Sequence, residues 1–253
     1  MIGRAMSFLR SILVSSPLIV LSTVVLGTLS ILASLVDKSG RTQHRLARLW
    51  GKILLAVSFI RVRAEGLEKL DPSGTYVFVA NHGSLMDIPA LLKTLRYEFR
   101  FFAKKGLYKI PFLGTHLRRA GHLPVDRSSA RASLKSMTEG AHIIAEKQIS
   151  VLLFPEGGRV SEEEGTREYK EGAAYIAIKA GVPIVPIAIV GMRPLLPMGS
   201  LHIKSGRVTV RVGEPISTAN LKVGDRVELT QRLAVEIAGM LGDPIQAVQA
   251  APR

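Results

Sequence analysis

Residues 76–87 read Tyr-Val-Phe-Val-Ala-Asn-His-Gly-Ser-Leu-Met-Asp, a short apolar run followed by a polar loop with a histidine and an aspartate. A second apolar run, residues 151–154, enters the loop 155–159, which holds two adjacent glycines, a glutamate and an arginine. Runs that are apolar at every position are typical of strands buried on both faces of a parallel sheet. The loops that leave the carboxyl ends of such strands are where this kind of sheet places its chemistry.

Short apolar runs alternate with helical patterns from residue 58 onward. Strands are predicted at 59–64, 76–80, 99–103, 123–125, 151–154, 184–190 and 208–212, and helices at 84–95, 130–146, 168–180 and 226–241. This alternation predicts an α/β fold: a mostly parallel sheet of about seven strands flanked by helices.

The N-terminus carries an uncharged run from residue 11 to residue 36. As one helix it would reach roughly 39 Å at about 1.5 Å per residue, enough for a hydrocarbon core of about 30 Å. It is too long for a signal peptide, whose apolar core usually has about 7–15 residues. Basic residues flank both ends, so two interpretations stay open: a single tilted span, or a re-entrant hairpin broken at Pro17 and Gly27.

An amphipathic stretch follows this run, with apolar residues at helical spacing and Arg41, Arg45, Arg48 and Lys52 on another face. Such a helix suits the headgroup region of a membrane, and it also suits packing on a globular domain. We therefore expect an N-terminal membrane-associated two-helix segment at 1–58, a globular catalytic domain at 59–242 and a loose tail at 243–253.

The composition restricts the partners. There are 34 Lys and Arg against 20 Asp and Glu, a formal net charge of +14, and no cysteine. The charge fits nucleic acid, an anionic membrane or an acidic substrate. The apolar N-terminus favours the membrane. Aromatic residues are few in the chain and its basic residues are dispersed, so we expect no nucleic-acid partner. Without cysteine there is no disulfide and no thiolate nucleophile or metal ligand.

His82 and Asp87 are the candidate catalytic pair. A histidine can remove a proton from a hydroxyl near neutral pH, and a carboxylate bonded to its other ring nitrogen would fix its tautomer. The other interpretation is structural, because residues 84–87 have the form of a capping box with Ser84 as N-cap and Asp87 at N3.

Glycines and basic residues after the strands predict a phosphate site. Gly157 would let the backbone approach a ligand closely, Arg159 can grip a phosphate at two oxygens, and Glu156 would orient Arg159 or bind a substrate hydroxyl. Lys105 and Arg127 follow other strands and could complete the site. The alternative is a glycine-rich turn with surface ion pairs. Gly-x-Gly, P-loop, nucleophile-elbow and zinc motifs are absent from the sequence, so we expect no cofactor and no metal.

Together these residues resemble the lysophosphatidic acid acyltransferases (1-acylglycerol-3-phosphate O-acyltransferases). Asn81, His82 and Asp87 match their Asn-His-x-x-x-x-Asp motif, and residues 154–159 match their Phe-Pro-Glu-Gly-Thr-Arg-Ser motif, with Ser161 one position late. Residues 104–114, 121–127, 169–172 and 182–186 also look like blocks of that family. The resemblance covers roughly residues 60–215 in the same order.

The resemblance implies that His82 deprotonates an acceptor hydroxyl, that Asp87 orients His82, and that the alkoxide attacks a thioester directly. Glu156, Gly157 and Arg159, with Lys105 and Arg127, would hold the acceptor's phosphate. It also implies an acyl-CoA or acyl carrier protein donor, a lysophospholipid acceptor, no metal, and a place on the cytoplasmic side of the inner membrane. Gly158 and Val160 depart from the family's usual threonine and serine, so another lysolipid acceptor stays an alternative, as does a non-catalytic lipid-binding protein.

Overall fold

The computed structural model describes residues 2–160 and 168–242; Ser161 and the expected tail at 243–253 lie outside the described residues. The helices are α1 Ile2–Arg10, α2 Ser16–Ala33, α3 Arg41–Val57, α4 Asp87–Thr94, α5 Leu113–Arg119, α6 Ala130–Lys147, α7 Gly172–Ala180 and α8 Arg226–Leu241. The strands are β1 Ile60–Glu65, β2 Val77–Ala80, β3 Phe99–Lys104, β4 Leu123–Val125, β5 Ser150–Leu153, β6 Ile184–Val190 and β7 Gly206–Val212. All seven predicted strands form, with ends that shift by one or two residues.

The strands make one sheet in the order β1-β7-β6-β2-β5-β3-β4. Every neighbouring pair is parallel except β6 with β7, which is antiparallel. β2 lies between β5 and β6, so the loops that leave these three strands meet at one edge. Because β7 and β1 run the opposite way, their first residues lie at this same edge. We call it the catalytic edge.

Apolar residues cover both faces of the sheet, as the continuous runs predict. Phe78, Leu152 and Ile187 face α3 and α4 on one side, and Val77, Val151 and Ile184 belong to the core with α6, α7 and α8 on the other. The α/β prediction is confirmed.

The N-terminal helix runs without a break from α1 through a π-helical turn, Ser11–Ser15, into α2. Neither Pro17 nor Gly27 interrupts it, so the hairpin interpretation is wrong for these residues. Gly3–Ala33 is, within the described residues, the one helix long and apolar enough to cross a membrane, and only 11% of its most apolar window is buried. A helix that packed in a soluble core would hide this surface, so the exposed apolar side chains indicate membrane association.

Two further boundaries differ from the prediction. α4 begins at Asp87 rather than at 84, and α7 begins at Gly172 rather than at 168, because the preceding residues form loops at the catalytic edge. α5 was not predicted: Phe112, with φ +67°, starts it, and its ring lies against Gly27 of α2. His116 of α5 also bonds Ser30 of α2 at 2.9 Å.

Candidate active site

His82 and Asp87 lie in contact at the end of β2. Nδ1 of His82 is 2.9 Å from Oδ2 of Asp87, and their side chains are 12% and 2% exposed. The His82 ring stacks on Phe154, the residue after β5, with ring centroids 3.9 Å apart. Since a carboxylate accepts hydrogen bonds, we assign the ring proton to Nδ1, which leaves the Nε2 lone pair as the base. Nε2 has no hydrogen-bond partner among the described residues.

Asp87 also shapes the loop that carries His82. Its Oδ2 accepts hydrogen bonds from the backbone N–H groups of Gly83 at 2.9 Å and Ser84 at 2.8 Å. The capping-box interpretation is therefore half right: the carboxylate reaches Ser84, but α4 begins at Asp87, and the Ser84 hydroxyl donates to the carbonyl of Leu196. One carboxylate thus fixes both the loop and the imidazole.

The loop after β5 holds the backbone of His82 on both sides. Oε2 of Glu156 accepts the His82 N–H at 2.8 Å, and the Val160 N–H donates to the His82 carbonyl at 2.9 Å. Glu156 is 6% exposed, and its negative charge adds to burial, the larger cause, in raising the pKa of Tyr169. The contact with the His82 N–H adds a positioning role for Glu156, and its role towards the substrate or Arg159 stays a prediction.

Gly157 and Arg127 meet beside the histidine. Gly157 has φ +76°, a conformation that favours glycine, and its carbonyl accepts a hydrogen bond from Nη1 of Arg127. A Cβ on Gly157 would lie 3.0 Å from Cε and Nζ of Lys170, so this exposed lysine covers the glycine. Arg127, Gly157 and Lys170 therefore form a compact cationic corner.

The other two predicted phosphate ligands are Arg159 and Lys105. Arg159 is half-buried and directly precedes Val160, which bonds His82. Nζ of Lys105 is 2.7 Å from Asp126, and this bond is the main cause that holds the pKa of the Asp126 carboxyl well below its usual range. Lys105 is mostly exposed and is neutralised by Asp126, so it reaches the corner only through the residue next to Arg127.

A cavity of about 250 Å³ opens at the same corner and runs between the sheet and helices α6 and α7. Arg127 and Lys170 line its cationic end, whereas Phe102, Met137 and Leu153 line its apolar part. Phe154 is also a lining residue, and its ring stacks on His82. The site therefore combines a base, a cationic corner and an apolar cavity.

A family model described as acyltransferase matches residues 61–190, the segment that contains all of these groups. The chain belongs to this acyltransferase family. The resemblance inferred from the motifs is thereby confirmed.

Curated relatives of this acyltransferase agree in name. "1-acyl-sn-glycerol-3-phosphate acyltransferase LPAT1, chloroplastic" of Arabidopsis thaliana is 36% identical over 175 residues, which cover 68% of this chain and 48% of that protein. A 1-acyl-sn-glycerol-3-phosphate acyltransferase of Saccharomyces cerevisiae is 30% identical over 249 residues, 95% of this chain and 80% of that protein. The chain spans about half the length of the chloroplastic plant relatives it matches.

A solved structure shares the fold of the acyltransferase. The crystal structure of a 1-acyl-sn-glycerophosphate acyltransferase from Thermotoga maritima superposes with a TM-score of 0.77, covering 98% of this chain and 99% of that one. Their sequences are 24% identical, so this likeness supports the architecture.

The sequence analysis did not identify Arg193 as a residue of the acyltransferase site, and it named Asn81 without the contact that this side chain makes. The Asn81 side chain bonds both the N–H and the carbonyl of Ile189, at 2.7 and 3.3 Å, which joins the His82 loop to β6. Arg193, after β6, lies against the same loop: a Cβ on Gly83 would be 2.9 Å from its Nε. No local pattern marks Arg193; only its place after a central strand could have suggested it.

Proposed function

We propose that this protein transfers a fatty acyl group from acyl-CoA or acyl carrier protein to the sn-2 hydroxyl of 1-acylglycerol 3-phosphate, giving phosphatidic acid. The observation that carries the proposal is the His82–Asp87 pair, whose Nε2 has no partner within the described residues. The backbone of His82 is held by Glu156, the residue before Gly157 of the cationic corner. A base next to a phosphate-binding surface is what acylation of a phosphorylated alcohol requires.

The reaction follows from the ring nitrogens of His82. Nε2 takes the proton of the acceptor hydroxyl as its oxygen attacks the thioester carbonyl carbon, and Asp87 stabilises the imidazolium that results. When the tetrahedral intermediate collapses, the C–S bond breaks and the imidazolium returns the proton to the thiolate. The products are the ester and the free thiol. No covalent acyl-enzyme is needed, because the attacking group belongs to the substrate.

The cationic corner would hold the acceptor's phosphate. Arg159 and Arg127 supply planar donors for two-point contacts with phosphate oxygens. Gly157 lets the backbone approach, and Lys170 adds positive charge. Lys105 would contribute only after leaving its ion pair with Asp126. Glu156 serves this site by fixing the His82 backbone.

The apolar cavity would receive an acyl chain. Its end at Arg127 and Lys170 lies close to the loop that holds His82, and its far part is lined by apolar side chains. A chain bound there would keep the reacting carbon near the base while excluding water. We propose that the reaction uses no metal or organic cofactor beyond the thioester, since base, cations and cavity together supply the steps above.

The N-terminal helix supports a reaction at a membrane. Its apolar face is exposed, and it contacts the loop between β6 and β7 at residues 201–203 and the first turns of α5 at Phe112 and His116. We propose the inner membrane of the cell, with the catalytic domain (59–242) on the cytoplasmic side, where soluble thioesters are made. The basic residues that follow the apolar run directly precede the catalytic domain and suit that side.

Two alternatives stay distinct. Gly158 and Val160 replace polar residues usual in the acceptor motif, so the same chemistry could act on another lysolipid. Val160 is buried and its N–H bonds His82, which shows that this change need not harm the catalytic geometry. A lipid-binding protein without turnover would have no use for an imidazole held by a buried carboxylate.

The test is acyl transfer by purified, detergent-held protein to a panel of lysolipids. Radiolabelled acyl-CoA and acyl carrier protein thioesters serve as parallel donors, and a His82→Ala variant serves as the blank. Label in phosphatidic acid supports the proposal. Label in another lipid alone would replace the acceptor and keep the mechanism. A folded protein that labels nothing with any donor would refute the enzymatic function.

A further inference from the structure

A second cleft, of about 480 Å³, lies at the catalytic edge on the β1–β7 side. Arg10 of α1, Arg61 of β1 and Arg207 of β7 line it, together with Phe59 and the backbone of Gly206. We call it the arginine cleft. No Asp or Glu is among its lining residues, and no ion pair to any of the three arginines occurs in the described part of the chain. The corner beside His82 belongs to β4 and β5 on the other side of β2, so the two cationic sites are separate.

Arg61 and Arg207 are register partners in the parallel pair β1–β7. Their Cα atoms lie on adjoining strands, about 4.8 Å apart in an ordinary sheet, and their side chains leave the same face. Like charges in such positions repel each other. The register pair four residues further along has opposite charges: Glu65 is the partner of Arg211 and bonds it at 3.2 Å. The far pair is neutralised by its own ion pair, whereas the near pair has two positive charges and no carboxylate partner in the described part of the chain.

Buried polar atoms without partners flank the cleft. Nη2 of Arg10 donates to the carbonyl of Ile203 at 2.9 Å, but its Nε is buried and has no partner, although its guanidinium lies 4.9 Å from the centre of the Phe59 ring. The hydroxyl of Ser58, the residue before Phe59, is also buried without a partner. Phe59 itself has φ +57°, a costly conformation for an aromatic residue. Unpaired donors and backbone strain of this kind concentrate at binding sites.

We propose that the arginine cleft binds the phosphate of an anionic phospholipid of the surrounding membrane, separately from the substrates. The neighbouring surface favours a lipid over a soluble phosphate. Met6, Leu9 and Leu13 on the helix of Arg10 are each more than half exposed, as is Phe59 in the cleft wall. A phospholipid presents acyl chains to these apolar groups while its phosphate meets the arginines, whereas inorganic phosphate and free coenzyme A have no acyl chain.

The experiment measures ligand binding and needs no turnover, so its result is independent of the proposed acyl transfer. The full-length protein in a neutral detergent is titrated with short-chain phosphatidylglycerol, and the thermal midpoint is recorded; a ligand that binds the folded state raises it. Phosphatidylglycerol is chosen because it is neither the acceptor nor the product of the proposed reaction. Short-chain phosphatidylcholine, coenzyme A and inorganic phosphate are titrated in parallel.

Arg61→Ala with Arg207→Ala removes two charges from the cleft, and Arg63→Ala with Arg232→Ala removes two from exposed positions outside it. The cleft variant should bind phosphatidylglycerol about 25-fold more weakly, roughly five-fold for each arginine, while the control variant binds as the parent does. Arg61→Lys with Arg207→Lys keeps the charge and should recover most of the affinity; if the alanine pair does not fold, the single variant Arg207→Ala should lose about five-fold.

Three results would overturn the proposal. Equal weakening in the cleft and control variants would mean diffuse attraction by net charge. Equal stabilisation by phosphatidylcholine would mean that the cleft does not distinguish lipids by the net charge of the headgroup. Stabilisation by coenzyme A or inorganic phosphate that exceeds that of the lipid, and that the cleft variant loses, would assign the cleft to a soluble phosphate.

Discussion

Nδ1 of His82 lies 2.9 Å from Oδ2 of Asp87, and the same oxygen accepts two backbone N–H groups from the loop between them. The carboxylate is therefore fixed before any substrate binds. An imidazolium formed on His82 would find its counter-charge already in place, with no reorganisation needed during the reaction. This arrangement makes separate demands on the two residues, which mutation can distinguish.

His82→Ala should lower kcat by about 10³-fold or more, because the acceptor hydroxyl loses its base. Asp87→Asn should lower kcat by about 10²–10⁴-fold, since the amide can favour the wrong tautomer and cannot stabilise the imidazolium. The Asp87 variant should also lose stability, by about 1–3 kcal/mol, because a buried charged acceptor of three N–H donors is altered. His82→Ala removes one of those donors and the ring that stacks on Phe154, and it should lose stability too. Steady-state kinetics and thermal unfolding measure both effects. His142→Ala, an exposed histidine on α6, is the control; near-normal turnover in His82→Ala would disprove the mechanism.

Arg159→Ala should raise the KM of the acceptor about ten-fold or more and change the KM of the donor little, because a charge-assisted bond to phosphate is lost. Initial rates with each substrate varied in turn give the two values. Arg232→Ala on α8 removes the same charge at an exposed position and should change neither. If only the KM of the donor rises, Arg159 does not bind the acceptor's phosphate.

Arg193→Ala should raise the KM of the donor rather than that of the acceptor. Arg193 lies after β6 and Arg127 after β4, on opposite sides of β2 in the sheet, so these two cations flank the His82 loop from two sides. Both substrates are anionic, and we expect the second side to serve the donor. The KM of the donor should therefore rise about ten-fold, with Arg193→Lys recovering part of it. A rise confined to the acceptor's KM would place both sets of cations on one phosphate.

The seven strands and the His82–Asp87 pair could be predicted because their signals are local: apolar runs for the strands, and four residues between the partners. The contacts that complete the site are not local. Glu156 holds His82 across 74 residues, Asn81 bonds Ile189 across 108, and Ser11 bonds Leu201 across 190. α5 escaped prediction for the same reason, because its weak helical sequence is held by packing against α2.

Acid should destabilise the protein through buried histidines. Burial, helped by the charge of Arg100, lowers the pKa of His44 to about 4, and burial holds the pKa of His122 well below its usual value. The folded state keeps both rings neutral, whereas the unfolded chain takes up protons below about pH 6.5. The free energy of unfolding is therefore complete above that pH and falls as the pH drops from about 6.5 towards 4.

His44→Gln isolates one part of this effect. Glutamine can still donate to the Tyr97 carbonyl, which Nε2 of His44 contacts at 3.1 Å, but it does not titrate. The variant should show a shallower fall, by on the order of 2–3 kcal/mol across the window. Chemical unfolding in detergent at several pH values measures the slope. His142→Gln, on the exposed side of α6, should keep the parent's slope; if His44→Gln keeps it too, His44 is protonated in the folded state.

Ser11 bonds the N-terminal helix to the catalytic edge, so its replacement should lower both the stability and kcat. Its hydroxyl donates to the Leu201 carbonyl at 3.1 Å and accepts the Ile203 N–H at 2.8 Å, inside a π-helical turn. Ser11→Ala leaves that N–H buried without a partner, a cost of about 1–3 kcal/mol. The loop that contains Leu201 also carries Arg193 and the Leu196 carbonyl that bonds Ser84, so kcat should fall as well. Thermal unfolding and initial rates are compared with those of Ser22→Ala, whose hydroxyl bonds only its own helix. If the two variants behave alike, the helix anchors the protein without positioning the site.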